Sequence, residues 1–309
     1  MDALIREAPD ARSTVTHDLR LYFLDHGDNR VLSSMSDGSG LTVLVSDGCA
    51  GPDGVAIDVA EGHLYWTNMG VPSHNDGFIM RCDLDGRHVT TIVPPGIART
   101  PKQLVVEPHG GHLYWCDREG MRVMRCKLDG SSIETLVQTG YGARDRADAR
   151  NWCVGIAIDI DRQQMYWTQK GASKSGTGRI LRAPLNTRRK SESPASRRDI
   201  ETLFSALPEP VDLELDPATM TLYWTDRGAP PFGNTLNRSR LDDPDAGELR
   251  REVLHGGFKE AIGLSVHPAR NVAFTSDLGG SIYQVALDGS SHASIALRNA
   301  GNLTGIIAV

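Results

Sequence analysis

Two acidic residues stand two positions apart in the apolar stretch Val211-Asp212-Leu213-Glu214-Leu215, so in a strand both carboxylates share one face. Burying a same-face acid pair is costly unless it is solvated or paired, and Lys102 and Arg227 are the candidate partners. If the carboxyls lie close, one takes a raised pKa and can act as an acid, so Asp212, Glu214, Lys102 and Arg227 form the candidate catalytic group. The same residues also suit a structural salt bridge or a water-filled channel, which weighs at least as much. The loop 141–152 carries Arg144, Arg146 and Arg150, has Arg118 nearby and ends on Trp152. It reads either as a lid packed on its own unit or as a stacking, anion-binding wall for an aromatic or enolic ligand.

Weaker candidates complete the set. His74 could ligate a metal or move a proton, although a lone loop histidine is more often solvent-exposed. Phe232 and Phe258 are apolar tips that could cover a channel mouth or pack on a neighbouring unit. Asp53, Asn68, Gln103, Lys170 and Asn234 fall at strand ends or in the loops that follow. Asp53, Asn68, Asp212 and Asn234 could also supply a metal, but nothing fixes their geometry, and no metal or cofactor is assigned. Cys49 has an acid close by, which would raise its pKa and make it a poor nucleophile. The sequence has no dinucleotide-binding glycine pattern, P-loop, Gly-x-Ser-x-Gly elbow or His-Glu-x-x-His motif.

A formal charge of -6 and a pI near 5.9 argue against nucleic acid or an anionic membrane as the main partner. No apolar run of spanning length exists, and the first fifteen residues lack the apolar core of a secretory signal, so a cytoplasmic location is expected. Five cysteines without framework spacing read as free, mostly buried thiols.

What positions these residues is a repeat. Leu64-Tyr65-Trp66-Thr67-Asn68 returns at Leu113–Asp117, Met165–Gln169 and Leu222–Asp226, with weaker copies at Leu21–Asp25 and Val272–Ser276. The aromatic third positions are 23, 66, 115, 167, 224 and 274. Each copy follows a short apolar strand such as Gly54–Asp58, and precedes a third strand ending in a turn such as Leu84-Asp85-Gly86 and then a fourth strand. Four antiparallel strands per unit indicate a β-propeller blade. The first unit lacks its inner strand, and Leu303–Val309 supplies it, which closes the ring and removes an open sheet edge. Trimming those seven residues should unfold the whole ring. The motif aspartates Asp25, Asp117 and Asp226 are expected to tie neighbouring blades, and the Tyr-Trp rings to fill the space between them.

These copies of Tyr-Trp-Thr-Asp resemble the YWTD repeat of the low-density lipoprotein receptor family, over about residues 20–309. The resemblance implies an all-β, six-bladed propeller with blades at about 20–46 plus 302–309, 51–93, 101–137, 152–204, 210–255 and 261–297, after an extension of residues 1–19. The chain looks most like stand-alone microbial YWTD propellers, some of which resemble hetero-Diels–Alder cyclases of natural-product pathways. That implies a cofactor-free cyclase acting on a small molecule, polyketide or terpenoid in type. The alternatives are a protein- or peptide-binding scaffold and a metal-dependent hydrolase.

The loops after strands two and four, including 68–77, 94–101 and 138–152, are long and open on one face, which is the expected working face. The insertion 186–199 lies on the other face and has the composition of a solvated, flexible loop, with docking of an acidic partner as the alternative.

Overall fold

The Tyr-Trp segments are apolar on both faces because a sheet packs against each side. Trp66, Trp115, Trp167 and Trp224 are fully buried, and six hydrophobic clusters each join two neighbouring sheets, as where Trp66 meets Tyr22, Leu24 and Val31. In the computed structural model, residues 19–72, 74–186, 192–242 and 249–309 are described. They form six four-stranded antiparallel sheets.

The first holds β1 (Arg20–Asp25), β2 (Arg30–Met35) and β3 (Thr42–Val45). The second holds β4 (Pro52–Asp58), β5 (His63–Asn68), β6 (Gly77–Asp83) and β7 (Thr90–Ala98). The third holds β8 (Pro101–Glu107), β9 (His112–Asp117), β10 (Arg122–Lys127) and β11 (Glu134–Gln138). The fourth holds β12 (Cys153–Asp159), β13 (Gln164–Gln169), β14 (Gly178–Pro184) and β15 (Glu201–Leu207). The fifth holds β16 (Pro210–Asp216), β17 (Thr221–Asp226), β18 (Thr235–Arg240) and β19 (Glu252–Gly256). The sixth holds β20 (Ala261–His267), β21 (Val272–Asp277), β22 (Ile282–Ala286) and β23 (Ala293–Leu297). The last strand, β24 (Leu303–Ala308), returns to pair with β1 and completes the first blade. Among the described residues no helix is long and apolar enough to cross a membrane.

One side-chain donor per interface, a hydroxyl at five of them and a thiol at the sixth, clasps the blades. Thr67 accepts from Gly54 N in its own blade (2.9 Å) and donates to Lys102 O in the next (2.8 Å). Thr168 and Thr225 repeat this towards Val211 O (2.8 Å) and Ile262 O (2.7 Å), and Ser276 towards Thr304 O. In the third blade the Cys116 thiol donates to Gly155 O at 3.3 Å. Leu24 has no donor at this position, and Thr304 on β24 supplies it, donating to Pro52 O at 3.0 Å. These bonds explain the threonine of the repeat: it satisfies buried backbone groups at the axis.

The motif aspartates do different work from the tie expected of them. Asp25, Asp117 and Asp226 accept from Asn302 N (3.0 Å), Thr100 N (2.7 Å) and Glu209 N (3.0 Å), fastening the connection that enters their own blade.

Three further expectations are corrected. In the sixth blade Leu264 faces Thr275, as Val55 faces Trp66, so Thr275 and not Phe274 occupies the tryptophan position. Aromatic content alone misplaces that copy by one residue, because Phe274 stands in the tyrosine position. The stretch from Pro94 belongs largely to β7, which continues to Ala98 through a bulge, because an outermost strand tolerates Pro94 and Pro95. Within the insertion 186–199, residues 187–191 lie outside the described residues, and the part after them is docked. Arg197 is 9 % exposed and donates to Leu136 O (3.2 Å) and Pro184 O (2.6 Å), while Pro194 O accepts from Gln138 N (3.0 Å). This segment covers the edge of β11 instead of standing in solvent.

Candidate functional site

The position immediately after the second strand of each blade rings the channel mouth on the long-loop face. Its occupants are His26, Met69, Arg118, Lys170, Arg227 and Leu278. Five are held by one backbone bond to the connection entering the inner strand: His26 N to Asn302 O (2.9 Å), Met69 N to Gly51 O (2.9 Å), Arg118 N to Thr100 O (2.9 Å), Arg227 N to Glu209 O (3.0 Å) and Leu278 N to Glu260 O (3.1 Å). The ring is therefore two-sided. Blades three to five contribute three cations, and blades six, one and two contribute Leu278, His26 and Met69. A cavity of about 480 Å³ lies within it, lined by Met69, Lys102, Arg118, Arg227, Ile262 and Leu278 among others.

The cations are partnered. Lys102 is buried and paired with Asp53, and its Nζ lies 3.3 Å from Met69 Sδ. Burial pulls its pKa down to about 8, and the charges of Arg118 and Arg227 add to this, while Asp53 opposes it. Arg118 pairs with Glu119 at 2.6 Å. Glu209, fully buried, takes Lys170 at 2.7 Å and Arg227 at 2.8 Å. Burial also lowers the Lys170 pKa against the pull of Glu209. The Trp152 ring has two cations against it, Arg118 at 5.1 Å and Lys170 at 5.4 Å from its centroid, with its indole N–H on Arg146 O at 2.8 Å.

Comparison with known proteins gives this geometry its context. The chain is 43% identical to "Low-density lipoprotein receptor-related protein 1" of Pyricularia oryzae, over 94% of this chain and 98% of that one. It belongs to the YWTD propeller family of the low-density lipoprotein receptor type. It is also 39% identical to "3-hydroxyacyl-CoA dehydrogenase-like protein LAM1" of Cochliobolus heterostrophus, over 97% of this chain but 66% of that longer one. Among solved structures, a chain of the nidogen/laminin complex superposes with a TM-score of 0.72 at 19% identity, over 94% of this chain and 98% of that chain. No protein-family model matches the sequence.

Within this YWTD propeller the acid pair is not at the mouth. Asp212 and Glu214 line a smaller cavity of about 140 Å³ lower in the channel, with Gln103. They replace the glycine and small residues of other blades and cap the free edge of β20. Asp212 accepts from Leu213 N and Leu264 N, both at 2.9 Å, and Glu214 from Val266 N at 2.6 Å. Burial lifts Asp212 to about 7 and Glu214 well above the carboxylate range, with Asp212 adding to the latter. The expected pairing of these acids with Lys102 and Arg227 is replaced by Lys102–Asp53 and Arg227–Glu209.

The other expected residues divide. Asp53, Lys102, Arg118 and Arg227 line the mouth, Lys170 and Trp152 stand beside it, and Gln103 donates to Asp53 at 3.4 Å. Asn68 and Asn234 are loop braces, accepting from Ala50 N and Glu260 N, both at 2.9 Å. Phe258 is buried against His255 and Tyr283 (centroids 5.3 and 4.8 Å), because its loop turns into the gap between blades. Phe232 is exposed, with the Arg251 guanidinium 4.4 Å over its ring, and does not reach the mouth cavity. His74 is exposed on its loop. The four residues considered for a metal each have separate partners, and among the described residues no group of three or more His, Cys, Asp or Glu could hold an ion. Arg144, Arg146 and Arg150 stand outside the mouth cavity, Arg150 being held by Asp148 at 2.6 Å. Cys49 is pushed up to about 11 chiefly by burial, and only secondarily by Asp47.

Proposed function

We propose that this propeller is a small-molecule enzyme of secondary metabolism that works at the channel mouth, and that its reaction is a cofactor-free cyclisation of the hetero-Diels–Alder type. The observation that carries the reading is the mixed lining of the mouth, where Lys102, Arg118 and Arg227 share a cavity of about 480 Å³ with Met69, Ile262 and Leu278. Such a pocket suits a substrate with one conjugated, oxygenated part and one hydrocarbon part, polyketide or terpenoid in type. A cycloaddition converts two π bonds to two σ bonds without net redox change. The pocket then needs only to hold both π-systems in register and stabilise charge growing on the carbonyl oxygen. The similarity to a protein with a dehydrogenase-like name supports enzymatic work, not that particular activity.

The test generates an ortho-quinone methide in the presence of a terpene alkene and separates the adducts on a chiral column. Wild type should give one enantiomer at least about a hundredfold faster than buffer, and Arg227→Ala and Ile262→Asp should lose most of this. Racemic product at the buffer rate would overturn the reading.

A further inference from the structure

Lysine is scarce in this chain. Only Lys102, Lys127, Lys170, Lys174, Lys190 and Lys259 occur among 33 basic residues. Most ion pairs accordingly use arginine, from Arg30–Asp25 to Arg240–Asp242. Yet two lysines are buried beside the mouth, Lys102 at 7 % exposure and Lys170 at 5 %. A position needing only charge or bidentate hydrogen bonding is served by arginine, whereas an amine that can lose its proton requires lysine. Of the two, Lys102 lines the cavity, with a carboxylate, Asp53, in contact and the thioether of Met69 at 3.3 Å.

We propose that Lys102 forms a Schiff base with the aldehyde group of a conjugated aldehyde bound at the mouth. This rests on the reading of the mouth as a substrate site and adds a covalent step to it. Lys102 passes a proton to the Asp53 carboxylate, and the freed Nζ lone pair attacks the carbonyl carbon while the carbonyl electrons move to oxygen, which takes that proton from Asp53. The carbinolamine then loses water, with the Asp53 carboxyl carrying the proton from nitrogen to the departing hydroxyl, and a protonated C=N bond remains. That iminium draws electrons from the conjugated alkene more strongly than the neutral carbonyl does. After cyclisation, water adds back and frees both the aldehyde and the amine. The lowered pKa of Lys102, about 8, leaves a usable fraction of neutral amine near neutral pH.

The experiment treats the whole protein with hexanal and sodium cyanoborohydride, which fixes an imine as a secondary amine, and maps the adducts by peptide mass spectrometry. A saturated aldehyde avoids addition of thiols to an alkene. Labelling of Lys102 should exceed that of the exposed Lys174 by about tenfold or more at pH 7.5, rise with pH and level off above about 8. Asp53→Asn should slow it. Labelling of Lys102 no faster than Lys174 in folded wild type overturns the proposal, and no variant is needed to see it. Because the trap requires no cyclisation, its failure leaves the cyclase reading standing, and a racemic cycloaddition leaves the trap result standing.

Discussion

At the mouth of the channel, Asp53, Glu119 and Glu209 meet Lys102, Arg118, Lys170 and Arg227 around a cavity of about 480 Å³. Further down the same channel, Asp212 and Glu214 face about 140 Å³ and take their hydrogen bonds from backbone amides. The upper carboxylates hold cations in place and leave cationic and apolar surface facing a ligand. The lower ones substitute for missing strand partners and are driven by burial towards their neutral forms. Polar residues on a channel wall therefore declare their role by what completes their hydrogen bonds, not by the channel they share.

That contrast can be broken most forcefully at Lys102. Lys102→Met should cut product formation by about 10²–10³ and, by stranding Asp53, cost about 3–5 kcal/mol of stability. Adding Asp53→Asn should return most of the stability in urea denaturation and none of the activity. Recovery of both would remove Lys102 from the chemistry.

Asp212→Ala should do the reverse. It leaves the Leu213 and Leu264 amides without their acceptor, at about 1–3 kcal/mol each, while the rate per folded molecule stays within about twofold of wild type. A stable variant that has lost its activity would return the site to the lower cavity.

The two levels should also differ in the sign of their pH dependence. Asp212, raised to about 7, binds its proton more tightly in the fold than in the unfolded chain. Its contribution is full below about pH 4 and is lost as pH rises to 7. Lys102, lowered to about 8, holds its proton less tightly in the fold, so its contribution grows between pH 8 and about 10.5. Urea midpoints of wild type minus Asp212→Asn should fall across the first window, and those of wild type minus the Lys102/Asp53 double variant should rise across the second. Equal slopes would mean that the environments are not distinct. The smallest effect is expected at Trp152, where Trp152→Leu removes two cation contacts and should weaken product binding by about 0.5–2 kcal/mol in calorimetry.

Several mouth residues were legible in the sequence without their arrangement. Arg118, Lys170 and Arg227 follow the motif directly in blades three to five, and reading that one column across all six copies would also have found His26 and Met69. Leu278 additionally needs the sixth blade's register, which Phe274 misleads. Glu119 and Glu209 carry no signal of their own, because their partners are set by side-chain reach and by blade adjacency. Phe258, chosen as an exposed tip, is buried because two aromatic neighbours from the blade gap enclose it.

The number of blades, the four-strand order within each and the closing role of the last strand could all be read along the chain. Alternation and turn chemistry are local, and repeating them six times leaves one way to bury every tryptophan face. That Lys102 meets Asp53 across a blade boundary, and that Asp212 is answered by the backbone of β20, follows only from how the blades close on one another. Those partners lie about fifty residues apart, and the burial that shifts their protonation exists only once the ring has closed.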